Sequence, residues 1–169
     1  MSIIFAVVLC CSLIGIDQVI KLLVINHLKP VQYVNVLEGV LRFRYVENTG
    51  AIFGSFAAHT AFLTVFSIIL LGVTIFLLIK NKDKNKLVSL CLLFMISGGI
   101  GNIIDRIRLH YVVDYIEPLF VDFAVFNFAD CLITVGAFTL IFYLIYDLIK
   151  DTKKTKTTVS EGTRDDSGK

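Results

Sequence analysis

The sequence predicts an all-α membrane protein of four transmembrane helices, with a small extracytoplasmic β-sheet between helices 1 and 2. Hydrophobic residues make up 56% of the 169 residues, charged residues make up 18%, and the mean hydropathy is +0.81. This composition leaves too little polar surface for a water-soluble domain of this length. The apolar residues also form long runs, and lysines cluster beside only some ends of those runs.

Four apolar runs have the length of membrane spans. A helix needs ~20 apolar residues to cross ~30 Å of hydrocarbon, and a helix satisfies its backbone polar groups internally. The runs cover about residues 3–25, 60–79, 87–107 and 128–149. We therefore expect a single four-helix membrane domain over residues 1–150.

Lysine-rich segments predict the orientation of these spans. Residues 80–86 read KNKDKNK and residues 150–156 read KDTKKTK, and each segment directly follows a span. Short Lys-rich flanks of this kind face the cytoplasm, so both termini are predicted to be cytoplasmic. Residues 151–169 are polar and mixed in charge, which predicts a disordered cytoplasmic tail.

The two outer connections, about residues 26–59 and 108–127, differ in character. The first contains VQYVNVL and LRFRYVE, two alternating runs separated by Gly39, which predict a β-hairpin or small sheet at about residues 30–47. The second contains Pro118 among mixed polar and aromatic residues and is predicted to be an irregular loop.

Ionisable side chains inside spans are costly and usually face protein or water. Asp17 and Lys21 lie four residues apart and share a helix face. They are either an ion pair that fixes helix packing or a pair positioned beside a functional site. Asn102, Asp105 and Arg106 share a face at the end of the third span, where Arg106 can reach the interface, anchor a loop or steady a nearby charge.

Residues 48–54, NTGAIFG, lie between the predicted sheet and the second span. Gly50 permits a tight backbone turn, and Asn48 can brace that turn or present its amide to a substrate. A structural turn is the simpler interpretation of this segment alone.

Two aspartates are the strongest catalytic candidates. Asp114 follows the third span, and Asp130 opens the fourth just after Asn127, so both are predicted at the outer side. A simple structural reading makes Asp130 a favourable charge at a helix N-terminus and Asp114 a loop residue. The functional reading is that two carboxyl groups held close cannot both ionise easily, so one keeps a proton. The ionised group can then activate water while the protonated group polarises a peptide carbonyl.

These residues fall in blocks that resemble the lipoprotein signal peptidase family, also called signal peptidase II. The resemblance covers residues 17–130. In chain order the blocks are DQVIK at 17–21, NTGAIFG at 48–54, GNIIDR at 101–106, VVDY at 112–115 and FNFAD at 126–130. Each block is weak alone, whereas five in order on four spans are specific.

The resemblance implies a bacterial aspartic endopeptidase with Asp114 and Asp130 as its catalytic pair. The implied substrates are prolipoproteins with a diacylglyceryl-modified cysteine, cleaved just before that cysteine. The supporting residues that it implies are Asn48, Gly50, Asn102, Arg106, Asn127, Asp17 and Lys21. It implies no metal and no organic cofactor, and we expect no nucleic-acid partner. We expect a monomer, surrounded by lipids of the bacterial cytoplasmic membrane, with its active site near the outer leaflet.

A small four-span transporter or channel is the alternative. It would use Asp17, Lys21, Asp105 and Arg106 as a relay for ions or protons. That function leaves Asp114 and Asp130 unused, and it predicts polar residues throughout the bilayer depth, whereas the second span has almost none.

Overall fold

The computed structural model describes residues 2–50, 56–81 and 85–165 of the chain. Within these residues, four helices are long and apolar enough to span a membrane, which confirms the four predicted spans. The helices are α1, Ile3–Leu23, continued by a π-helical turn, Val24–Leu28; α2, Phe56–Lys80; α3, Lys86–Leu109; and α4, Phe128–Asp165.

Helix α3 lies at the centre of the bundle and packs against the other three helices. In the most apolar 18-residue stretch of α3, 56% of the residues are buried inside the protein. The corresponding shares for α1, α2 and α4 are 6%, 6% and 17%. Small residues allow close approach, because a Cβ on Gly136 of α4 would lie 2.7 Å from the carbonyl oxygen of Cys91 in α3. The other helices expose apolar side chains such as Ile4, Phe62 and Phe142, as expected of surfaces that face lipid.

A three-stranded antiparallel sheet covers one end of the bundle, which we call the sheet end. Its strands, in spatial order, are β1, Tyr33–Leu37; β2, Leu41–Asn48; and β3, Val112–Pro118. The turn between β1 and β2 contains Gly39 with φ of +71°, a left-handed conformation that glycine adopts without strain. The predicted hairpin at about residues 30–47 is therefore confirmed.

Strand β3 corrects the prediction of an irregular loop at residues 108–127. It pairs with β2, so that Val46 lies opposite Asp114 and Asn48 lies opposite Val112. Its valine, tyrosine and isoleucine residues favour a strand, but its partner comes from the other connection at the sheet end. The pattern of residues within β3 does not show that it pairs with β2, which lies far away in the sequence. The strand is therefore not predicted from the sequence.

Helix α4 continues beyond the predicted fourth span. The backbone of residues 151–165 is helical, and residues 166–169 lie outside the described residues. The disorder predicted for residues 151–169 stays a prediction. A helix that is already formed in the span extends at the gain of one hydrogen bond per residue, without a new nucleation cost. The hydroxyl of Thr152 donates to the carbonyl oxygen of Leu148 at 2.8 Å in the first turn of this extension.

Beneath the sheet, a small apolar core fixes the orientation of β3. Leu28 of the π-helical turn, Tyr45 of β2, and Val113 and Tyr115 of β3 form one buried cluster. Successive side chains of a strand point to opposite faces. Because Val113 and Tyr115 point into this core, Asp114 between them points to the opposite face of the sheet.

Candidate active site

The structure brings both predicted aspartates to the sheet end of the bundle. Asp114 lies on β3 with only 1% of its surface exposed, and Asp130 lies half-buried in the first turn of α4. Asn127 and Asn102 are buried beside them. These four side chains form the centre of the candidate site.

Asn127 caps helix α4 and holds Asp130 in place. Its Oδ1 accepts a hydrogen bond from the backbone N–H of Asp130 at 3.0 Å, and its own backbone N–H donates to Oδ2 of Asp130 at 3.2 Å. This reciprocal pair has the geometry of a capping box. Asp130 therefore does take part in capping the N-terminus of α4, which was the structural role considered for it. The same hydrogen bonds restrain its carboxyl group.

Two asparagine amides join the two aspartates. Nδ2 of Asn127 donates to Oδ1 of Asp114 at 2.6 Å and to Oδ1 of Asn102 at 3.2 Å. Nδ2 of Asn102 donates in turn to Oδ1 of Asp130 at 2.8 Å. Each aspartate thus receives an amide donor, and the two amides are linked to each other.

Asn48 holds the other oxygen of Asp114. Its Nδ2 donates to Oδ2 of Asp114 at 2.7 Å, and its Oδ1 accepts from the backbone N–H of Gly50 at 2.8 Å. Gly50 has φ of +74°, a left-handed conformation that suits the tight turn considered for it. Residues 51–54 of the same motif lie outside the described residues.

The surroundings of Asp114 favour its protonated form. Burial raises the pKa of Asp114 to about 6, the hydrogen bond from Asn48 opposes this rise, and the negative charge of Asp130 adds to it. A buried carboxyl group loses the hydration that stabilises its charge. Asp114 therefore keeps its proton to a higher pH than an ordinary aspartate does.

Behind this centre lies a buried ion cluster on α1 and α3. Nζ of Lys21 lies 3.0 Å from Oδ2 of Asp17 and 2.8 Å from Oδ2 of Asp105, and it donates to Oδ1 of Asn102 at 2.9 Å. An ammonium group has three donors, and all three are used here. The pair at Asp17 and Lys21 is therefore both an intrahelical ion pair and a direct neighbour of the site.

The ion cluster also contacts residues that the sequence did not single out as site residues. Gln18 donates from Nε2 to Oδ2 of Asp17 at 3.2 Å and to Oδ1 of Asp105 at 3.1 Å. Gly101 leaves space for Asp17, because a Cβ at this position would lie 2.5 Å from Oδ2 of Asp17. In the sequence, Asp105 could be connected to the site because it shares a polar helix face with Asn102. For Gln18 and Gly101, the only indication was that they lie within the DQVIK and GNIIDR motifs.

Arg106 lies at the edge of this network. Its Nη1 donates to Oγ of Ser67 on α2 at 3.5 Å, the outer limit of a hydrogen bond, and its side chain is half-buried. Its charge interacts electrostatically with Asp114 and Asp130. Arg106 therefore contributes a nearby positive charge, which was one of the roles considered for it.

The fold and this network define a multi-pass membrane protein with linked carboxyl and amide groups at one end of its bundle. The chain belongs to the signal peptidase II family, because the family model described as Signal peptidase (SPase) II matches residues 9–146. Membership identifies a peptidase of a bacterial membrane, and it confirms the resemblance seen in the sequence motifs.

Individual relatives agree with this family. The lipoprotein signal peptidase of Streptococcus thermophilus is 40% identical over 133 residues, which are 79% of this chain and 87% of that protein. The lipoprotein signal peptidase of Streptococcus pyogenes is 38% identical over 132 residues, which are 78% of this chain and 87% of that protein.

Two solved structures of a bacterial membrane enzyme share this fold. They superpose with TM-scores of 0.77 and 0.78 at 27% sequence identity. The similarity covers 86% of this chain and 90% and 95% of those chains.

Proposed function

We propose that this chain is an intramembrane aspartic endopeptidase that removes the signal peptide from diacylglyceryl-modified bacterial prolipoproteins. It cleaves directly before the lipidated cysteine. The observation that supports this most directly is the linkage of Asp114 and Asp130 through Asn127 and Asn102 at the sheet end of a four-span bundle. The relatives named as lipoprotein signal peptidases support the substrate class.

The two aspartates have different surroundings, which supports different roles. Asp130 lies in the first turn of α4, where the helix N-terminus stabilises a negative charge. Asp114 is buried, and its raised pKa favours a proton on its carboxyl group. We assign Asp130 as the base that activates water and Asp114 as the acid that faces the scissile carbonyl, with one proton shared by the pair.

The proposed reaction balances its protons within this pair. Water attacks the scissile carbonyl carbon, its proton passes to Asp130, and the proton of Asp114 passes to the carbonyl oxygen. The tetrahedral intermediate then collapses, the carbon–nitrogen bond breaks, and the leaving amine takes the proton from Asp130. A hydroxyl proton of the intermediate returns to Asp114, which restores the starting state.

Charge distribution supports the orientation of the bundle. Lys80, Lys86 and Lys150 lie at the span ends opposite the sheet. Helix α1 also begins at this end. By the positive-inside rule this end faces the cytoplasm, so both termini are cytoplasmic and the site lies near the outer leaflet. A substrate held in that leaflet by its acyl chains presents its scissile bond at the same depth. One chain supplies the whole network, which supports action as a monomer among membrane lipids.

The test is cleavage by the purified chain in detergent of two forms of one prolipoprotein, with and without the diacylglyceryl group on its cysteine. We expect cleavage of the lipidated form only, and mass spectrometry should show a product that begins with the modified cysteine. Equal cleavage of both forms, or cleavage at another bond, would contradict the proposed specificity.

A further inference from the structure

The two carboxylates that hold Lys21 also hold the backbone next to the paired aspartates. Oδ2 of Asp105 accepts from the backbone N–H of Val113 at 3.2 Å, directly before Asp114. Oδ1 of Asp17 accepts from the backbone N–H of Ala129 at 3.1 Å, directly before Asp130. One buried lysine is therefore connected, through one carboxylate on each side, to β3 and to the start of α4.

Lys21 also determines which way the amide of Asn102 faces. An ammonium group donates hydrogen bonds and accepts none, so the atom of Asn102 that faces Lys21 must be the oxygen. The amide nitrogen then points to Asp130, to which it donates. Rotation of this amide by half a turn would place its NH2 group against the ammonium and remove the donor from Asp130.

Helix packing alone does not explain this cluster. Asp17 and Lys21 are 0% and 2% exposed, and apolar residues of similar size often stabilise a buried site as well as ions do. What the ions add is a defined set of partners, because the three donors of the ammonium are matched by Asp17, Asp105 and Asn102 at 2.8–3.0 Å. Asp105 and Asp17 accept from the backbone N–H groups of Val113 and Ala129, and Asn102 donates to Asp130, so each acceptor contacts a group next to or part of the aspartate pair.

We infer that Lys21 is a positioning residue that sets the separation of Asp114 and Asp130 and the orientation of the Asn102 amide. This inference rests on the proposed aspartic mechanism. Lys21 acts through Asp17, Asp105 and Asn102, and it takes no part in proton transfer. Loss of Lys21 should therefore lower kcat, which depends on alignment of the reacting groups, while KM should change little.

The test replaces the cluster without leaving extra charge. In Lys21→Met/Asp105→Asn one positive and one negative charge are lost together, and the introduced amide keeps an oxygen that can accept from the backbone N–H of Val113. The control is Lys29→Met/Glu47→Gln, which makes the same kinds of change at an exposed ion pair of 2.9 Å on the sheet side. Size-exclusion profiles and thermal unfolding midpoints in detergent report the folded fraction, and kcat and KM are measured separately across pH.

We expect the cluster variant to be folded with kcat lowered about 100-fold, as for small misplacements of reacting groups, and with KM nearly unchanged. The alkaline limb of its pH profile should move to higher pH, because the positive charge of Lys21 lowers the pKa of Asp114. The control should retain kcat within about threefold, since exposed ion pairs contribute little.

A folded cluster variant with the kcat and pH profile of the unmodified chain would overturn the positioning role. If the double variant does not fold, Asp17→Asn is measured instead, and an unchanged kcat and pH profile would again overturn the positioning role. The asparagine keeps the shape of the side chain and an oxygen that can accept from Ala129, but it loses the charge that pairs with Lys21. Asp114→Asn and Asp130→Asn are measured alongside. If these two remain active, the aspartic mechanism itself fails; if they are inactive and the cluster variant is fully active, only the inference on Lys21 fails.

Discussion

Asn127 donates from Nδ2 to Oδ1 of Asp114 at 2.6 Å while its own Oδ1 caps the helix that carries Asp130. One side chain thus serves helix stability and the link between the aspartates. Two substitutions separate these roles, because serine is a good N-cap residue but is too short to reach Asp114.

We expect Asn127→Ser and Asn127→Ala to lose most of the turnover, since both remove the donor to Asp114. Only Asn127→Ala should also lose the cap, which costs about 1 kcal/mol of stability. Thermal unfolding and kcat, measured on the same preparations, check this. Full activity in Asn127→Ser would show that the link to Asp114 is not needed.

The pH dependence of kcat/KM should report Asp114. Burial raises its pKa to about 6, and the charged groups around it are Asp130, Lys21 and Arg106. Because the proposed active form carries a proton on Asp114, kcat/KM of the free enzyme should fall about tenfold per pH unit above this pKa. Substrate binding excludes water, so the corresponding limb in kcat should lie at higher pH.

The same shift determines how stability depends on pH. The folded-state pKa of Asp114 lies above the value of about 3.9 expected in the unfolded chain. Its contribution to stability is therefore fully present below about pH 4 and is lost as the pH rises through about 6.

Asn48→Ala should move the alkaline limb of kcat/KM to higher pH. The hydrogen bond from Asn48 stabilises the ionised form of Asp114, so its removal raises the pKa further. Asn35→Ala, the same change on the neighbouring exposed strand β1, is the control and should leave the profile unchanged. A limb that moves to lower pH in Asn48→Ala would contradict the assigned direction.

Gly101→Ala tests the close packing of Asp17 against α3. The added Cβ would lie 2.5 Å from Oδ2 and 3.1 Å from Cγ of Asp17, so the ion cluster must shift. Overpacking of this kind costs about 1–3 kcal/mol, which should appear as a lower unfolding midpoint together with a lower kcat. Gly15→Ala on α1, where nothing lies within 4 Å of the added Cβ, should leave both values intact.

The sequence predicts the spans well because each span is a local property. Runs of ~20 apolar residues determine where α1 to α4 cross the membrane, and the alternation around Gly39 predicts the hairpin. Strand β3 could not be located in this way, because it forms by pairing with β2 from another connection.

The residues of the site were easier to predict than their contacts. Asp17 and Lys21 were placed on one face by their spacing, but their reach to Ala129 and Asn102 depends on how α1 packs against α3 and α4. The link from Asn127 to Asp114 depends on β3, so no local pattern could predict it. Packing between distant segments, rather than local propensity, determines these contacts.

The most direct test of the aspartic mechanism is single-turnover cleavage of a diacylglyceryl-modified prolipoprotein by Asp114→Asn and Asp130→Asn. Asn keeps the shape of each side chain but cannot exchange the proton. Each variant should remain folded, with a rate lowered by about 10²–10⁴-fold or more, as for loss of a general acid or base. Asp122→Asn, which changes an exposed aspartate of the following loop, should cleave at the unmodified rate. A folded Asp114→Asn or Asp130→Asn protein that cleaves as fast as Asp122→Asn would contradict the assignment of these two residues as the catalytic pair.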